Sequence, residues 1–181
     1  MSKDTAIPKL LTVFQQYGYE GATLARLSEA TGLGRASLYH HFPKGKEEMA
    51  TTVLNYLLQA LQTQILAPLH SDRPPAERLR AMNKNIDKFY CQGEKACVLA
   101  LLSVGEAHEL FQNQIQQMLE LWIDSLAKLA IEAGVKPKTA RQRAEDAVLQ
   151  IEGVLVLSRG LNNRGIFKGV LKHLPEILFS S

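Results

Sequence analysis

The chain has 181 residues, 46% of them hydrophobic, enough for one large or two small domains with a buried core. No apolar run is long and uncharged enough to span a membrane, and Met1 to Pro8 lacks the charged-then-apolar plan of a signal peptide, so a cytoplasmic location is expected. The net charge of +3 predicts nothing about nucleic acid by itself, and two cysteines do not make a disulfide framework. The five residues between Cys91 and Cys97 fit no common zinc knuckle, so neither a metal nor another cofactor is expected.

The pattern is helical almost throughout. Ile7, Leu10, Leu11 and Phe14 recur at three- and four-residue steps, marking an amphipathic first helix with Gly18 as its stop. Thr23 suits the N-cap of a second helix, whose Leu24 and Leu27 face inward. Gly32 supplies the left-handed turn that ends it. A third helix follows, anchored by Leu38 and Phe42 and ended by Pro43. A fourth runs from Lys46 to about Leu66, with Glu47 and Glu48 at its positive end. Its apolar residues lie on more than one side, so it reads as a connector between two domains. His70 to Pro75 reads as a linker. Further helices are expected at about Pro75–Cys91, Ala96–Val104, Glu106–Ala133, Pro137–Gly160 and Arg164–Leu178.

Two short helices separated by a break of about three residues have the layout of a helix-turn-helix, here over about residues 23–42. A recognition helix needs small residues near its start so that the backbone can approach the groove. Gly34, Ala36 and Ser37 provide them. Arg35 is the strongest candidate for reading a base, because arginine forks onto guanine. Tyr39 and His40 point the same general way. Thr23 and Lys46 sit at helix N-termini, where free N–H groups favour phosphate. Between Gly21 and Lys46 lie Arg26, Arg35, Lys44 and Lys46 against one acid, Glu29, so the whole net charge is concentrated here.

These residues resemble the tetracycline-repressor (TetR) family of bacterial regulators. The resemblance spans roughly Ala6 to Val53 and rests on Phe14, Gly18-Tyr19, Thr23, Leu27, Gly32, Leu38-Tyr39-His40-His41-Phe42 and Lys46-Glu47. Gly34 replaces the usual serine or threonine cap of the recognition helix, and Ala36 stands where glycine is frequent.

The resemblance implies an all-α fold of about nine helices. Residues 1–48 would form a three-helix DNA-binding domain, and 49–181 a helical ligand-binding and dimerisation domain. It also implies that the last two long helices pair with those of a second copy. The run Val148 to Leu157, apolar nearly all round, fits that role, and Val148, Ile151, Leu155, Leu171 and Leu174 are the expected interface.

A pocket is implied between the middle helices. Met82, Ile86, Phe89 and Tyr90 form one apolar face there, and Met118, Trp122 and Leu126 part of another. Methionine adapts to varied shapes, so the expected effector is a small hydrophobic or aromatic compound. Glu106, His108 and Glu152 are the polar groups expected nearby. The function expected is a homodimeric transcriptional regulator, most simply a repressor, that binds a palindromic double-stranded operator and is released by its ligand. One alternative is control by a protein partner with no small molecule. An all-α enzyme finds no support in a metal quartet, a phosphate loop or a nucleophile with its base.

Overall fold

The computed structural model describes Lys3–Ser180; Met1, Ser2 and Ser181 lie outside the described residues, and with them the start of the Met1 to Pro8 segment. The described residues form nine α-helices and no strand: α1 Lys3–Gly21, α2 Leu24–Thr31, α3 Arg35–His41, α4 Lys46–Ala60, α5 Pro75–Phe89, α6 Val98–Leu101, α7 Gly105–Glu132, α8 Pro137–Gly160 and α9 Arg164–Phe179. The all-α expectation and the helix count hold. No helix among the described residues is long and apolar enough to cross a membrane.

Two expected boundaries move. The fourth helix does not stay α-helical to Leu66; it ends at Ala60 and continues as a π-helical turn, Leu61–Ile65, then a 3-10 turn, Ala67–His70. Pro68 lacks the N–H that another α-turn requires, and the looser and tighter turns absorb the mismatch. The sixth helix is only Val98–Leu101, shorter than the sequence pattern suggests.

The helices form two compact units. The first comprises residues up to Gln59 together with Cys97–Gln116. Met49–Gln59 and Cys97–Gln116, assigned from sequence to the body, therefore pack with the N-terminal helices. Leu10, Phe14, Leu27, Leu38, Phe42, Met49 and Phe111 are fully or almost fully buried here. The tail of α1 is fixed on several sides. Phe111 meets the Tyr19 ring edge-on at 5.4 Å, and the Glu20 carboxylate accepts from the Glu106 N–H at 3.1 Å, capping α7. Gly105, at φ 63°, makes room for that cap: a Cβ there would lie 2.5 Å from Glu20 Oε1.

The second unit comprises Ala60–Ala96 and Gln117–Ser181. Its main packing is α8 against α9, with α5 against α9 as well. Leu79, Met82, Ile86, Trp122, Leu126, Ile151, Leu155, Phe167, Leu174 and Leu178 are all at most 1% exposed. Asn83 Nδ2 donates to the Leu171 carbonyl at 2.8 Å, tying α5 to α9.

Candidate nucleic-acid interface

The turn between α2 and α3 is built by hydroxyls and one glycine. Thr23 takes an extended conformation and its Oγ1 accepts from the Arg26 N–H at 3.3 Å, the expected N-cap. At the other end Gly32 adopts φ 72°, ψ 13°, a left-handed geometry that a side chain would disfavour, and its N–H closes on the Ser28 carbonyl at 2.8 Å. Thr31, 1% exposed, donates from Oγ1 to the Leu27 carbonyl at 2.7 Å and accepts from the Leu33 N–H at 3.3 Å. Ser28 Oγ donates to the Leu33 carbonyl at 2.6 Å. These bonds satisfy the polar groups of a buried turn and hold α3 to its neighbour. The sequence reading overlooked them; a threonine and a serine in the last turn of a short helix were the available signal.

Helix α3 is seven residues long, and only Leu38 among them is buried. With Phe42, also 0% exposed, it pins the helix from beneath. Arg35, Ala36, Ser37, Tyr39 and His40 are exposed, as are Thr23, Gly34 and Lys44. The sequence-predicted base-reading residues thus share an accessible surface. Gly34 caps α3 in an extended conformation with no side-chain hydrogen bond, so the first turn's amides meet no competing hydroxyl. A Cβ at Gly34 would touch nothing within 4 Å.

The cations divide into held and exposed. Lys46, the expected phosphate clamp, is also engaged within the chain: its Nζ donates to the Tyr19 carbonyl at 3.1 Å and sits 4.1 Å from the centre of the Tyr19 ring. Arg26 lies over Tyr17 at 4.1 Å and donates from Nη1 to the Gly21 carbonyl at 2.7 Å. Both cations brace the end of α1, where Gly18 at φ 66° breaks the helix and leaves carbonyls to be satisfied. Burial first, then the carboxylates of Glu47, Glu106 and Glu20, hold the Tyr19 phenol above its usual pKa. Lys44 stays exposed at its side chain while its N–H donates to Glu48 Oε2 at 3.1 Å. Lys3 Nζ reaches Glu48 Oε1 at 3.1 Å. The Lys44 N–H and the Lys3 ammonium lower the Glu48 pKa from its ordinary value, against some desolvation.

The body residues fall differently from their expected roles. Val148, Ile151, Leu155, Leu171 and Leu174 are 0–7% exposed and lie in the chain's own core. They are not available to a second copy. The apolar residues left outside on α8 and at its C-cap are Leu149, Val156, Leu157 and Leu161, 53–71% exposed, in one stripe with exposed Gly153 and Gly160. The run is apolar nearly all round, so composition could not say which face the fold would cover.

Met82, Ile86, Tyr90, Met118, Trp122 and Leu126 are buried, 0–4% exposed. Phe89 is half-buried and lines a cavity of about 470 Å³ with Thr63, Ile65, Pro68 and Asn85, beside the π-helical turn. Glu106 and His108 are exposed. Cys91 is half-buried and Cys97 buried, and neither forms a disulfide.

A short helix pinned by two apolar residues, following a capped helix and a glycine turn, with its polar side outward, defines a helix-turn-helix DNA-binding protein. The model of the bacterial regulatory proteins of the tetR family matches residues 10–53, and that of the LmrA/YxaF-like transcriptional regulator C-terminal domain matches 75–173. The chain belongs to the TetR family of bacterial transcriptional regulators, and its second half to the LmrA/YxaF-like group within it.

Among relatives, the HTH-type transcriptional regulator LmrA of Bacillus subtilis is 23% identical over 98% of this chain and 96% of its own length. IcaR of Staphylococcus epidermidis, a negative transcriptional regulator of the biofilm operon icaADBC, is 36% identical over 65% of this chain and 61% of its own. A solved TetR transcriptional regulator from Legionella pneumophila superimposes with a TM-score of 0.85 at 20% identity, over 98% of this chain and 97% of that one. That likeness supports the fold.

Proposed function

We propose that the protein is a dimeric repressor that reads a palindromic operator through α3 and is released by a small, mostly apolar ligand. The observation that carries the reading is the outward surface of α3, where Arg35, Ala36, Ser37, Tyr39 and His40 stand over a fully buried Leu38 and Phe42. In this reading Arg35 forks onto a base in the major groove. The amides at Gly34–Ala36, the Thr23 hydroxyl and Lys44 take phosphates. Lys46 acts indirectly, by holding the end of α1. The reading function belongs to residues 1–48 and the responding function to the remainder.

Dimerisation is assigned to the outward stripe of α8 and its C-cap, Leu149, Gly153, Val156, Leu157, Gly160 and Leu161. Burying those side chains removes apolar surface from water, and the two glycines let a second helix come close. Ligand response is supported by Trp122, whose indole N–H is buried with no hydrogen-bond partner among the described residues. An unpaired buried donor costs about 1–3 kcal/mol, which a ligand acceptor can recover. The cavity at Phe89 offers a second lining.

The test is footprinting on DNA upstream of the protein's own gene and its neighbours. The expected result is a symmetric footprint with two half-sites about one helical turn apart, roughly 34–36 Å. It should be lost when an apolar compound quenches Trp122 fluorescence. Sequence-independent binding, or no binding, would overturn the operator reading.

A further inference from the structure

We propose that the cavity beside Arg78 binds a small organic acid, whose carboxylate takes the arginine fork that Glu132 half occupies. Its lining shares no residue with the Phe89 cavity and does not include Trp122.

Arg78 on α5 is 8% exposed, unusually buried for an arginine. Its Nη1 donates to the Leu69 carbonyl at 2.7 Å, which fixes the guanidinium plane. Its Nη2 donates to Glu132 Oε2 at 2.5 Å. Its Nε is buried and has no hydrogen-bond partner among the described residues. Nε–H and Nη2–H lie along the same edge of a guanidinium and are spaced to receive both oxygens of one carboxylate. Glu132 supplies an oxygen to only one prong of that fork.

The arginine lines a cavity of about 310 Å³ whose wall is strongly polar. His70, Arg73 and Lys128 also line it, against the acids Asp72 and Glu132. The nearby cations are felt at Glu132, whose pKa is lowered chiefly by the Arg78 hydrogen bond and further by the charges of Arg78, Lys128 and His70. A cavity of this size admits a compact organic acid.

Glu132 is suited to yield. Its side chain is 40% exposed, and it sits in the last turn of α7, so it can swing into water. Arg78 cannot, because the Leu69 carbonyl holds it. An incoming carboxylate would replace one ionic hydrogen bond with two, leaving Lys128 and Arg73 to face its remaining charge. Glu132 is then the ligand's competitor, and a carboxylate is the chemistry to which the fork is already matched.

Calorimetric titration of the full chain with succinate tests this, with succinamide as the uncharged analogue and inorganic phosphate as the rival oxyanion. Wild type should bind succinate, and should bind phosphate at least tenfold more weakly and succinamide not detectably. Glu132→Gln removes the competing charge and should tighten succinate binding several-fold. Lys128→Gln should weaken it several-fold, and Arg78→Met should weaken it more than tenfold. Because Arg78→Met also removes a structural tie, the Glu132 and Lys128 variants, both at exposed positions, carry the test if it misfolds. A purely structural ion pair makes the opposite statement about Glu132→Gln: unchanged or weaker binding overturns the proposal. So does phosphate or succinamide binding as tightly as succinate.

Discussion

The outward sides of α3 and α8 are both uncovered, yet they are opposite in chemistry. On α3 the exposed positions are Arg35, Ala36, Ser37, Tyr39 and His40, polar or small, over one buried leucine. On α8 and its C-cap they are Leu149, Val156, Leu157 and Leu161, each more than half exposed, over a fully packed inner face. A solvated surface gains nothing from four large aliphatic residues in a row, whereas scattered ones need no explanation. A merely solvated helix would equally have no use for small residues around a lone arginine. In the proposed reading each outward side matches its cover in chemistry: a hydrated polyanion for α3, and a second apolar helix for α8.

The contrast can be broken hardest at α8. Leu157→Glu places an unpaired charge in the proposed interface, at a cost of about 3–5 kcal/mol. Sedimentation should show monomers where the wild type is dimeric, and operator affinity should fall with them. Leu155→Glu, by contrast, should leave insoluble or unfolded protein, because Leu155 is 1% exposed within the subunit. Identical behaviour of the two variants would remove the distinction between the helix's faces.

Next in size is the support beneath α3. Thr31→Val keeps the side-chain shape but takes the acceptor from the Leu33 N–H and the donor from the Leu27 carbonyl. The expected loss is about 1–3 kcal/mol in denaturant unfolding, with DNA affinity falling for all sequences alike.

The polar side is then sharpened residue by residue. Arg35→Ala should relax preference at one operator base pair by about 1–3 kcal/mol. Lys44→Ala should weaken every sequence equally and reduce the slope of log affinity against log salt by about one. Lys46→Ala should lower stability and leave that slope unchanged, because its ammonium is on the Tyr19 carbonyl. A reduced slope for Lys46→Ala would return it to the phosphate contacts.

The smallest effect is in acid. Glu48 is held below its ordinary pKa of 4.5 by the Lys44 N–H and the Lys3 ammonium. A carboxylate lowered in the folded state stabilises it above the unfolded pKa, and that contribution is lost as pH falls through the folded value. Unfolding curves of wild type and Glu48→Gln should therefore differ near neutral pH and converge as pH falls through the lowered folded-state value. Parallel curves throughout would discount the clamp.

The helix-turn-helix was legible because its determinants are local. Thr23 as a cap, Gly32 as a left-handed stop and Pro43 as a breaker act within a few residues of where they stand. The body was legible as helices but not as surfaces. Val148 and Leu149 are adjacent and both apolar, and only the packing of the folded unit decides that the first is 5% exposed and the second 71%. The same holds for Met82 and Trp122, where spacing identifies an apolar stripe without distinguishing core from cavity. Lys46 shows a third limit. Its position at a helix start is visible in sequence, but the carbonyl it satisfies belongs to Tyr19, brought near by the break at Gly18. Arg78 and Glu132 are far apart in the chain, and nothing local announces their meeting.

The bareness of α3 has a consequence for descent. Five of its seven residues can change without altering core volume, since Leu38 alone carries the packing and Gly34 offers open space. Exposed substitutions of that kind usually shift stability by only about 0.5 kcal/mol. With α3 reading the operator as proposed, a lineage carrying this turn can exchange one operator for another in single steps, each intermediate still folded, while the Thr31 and Gly32 scaffold stays as it is.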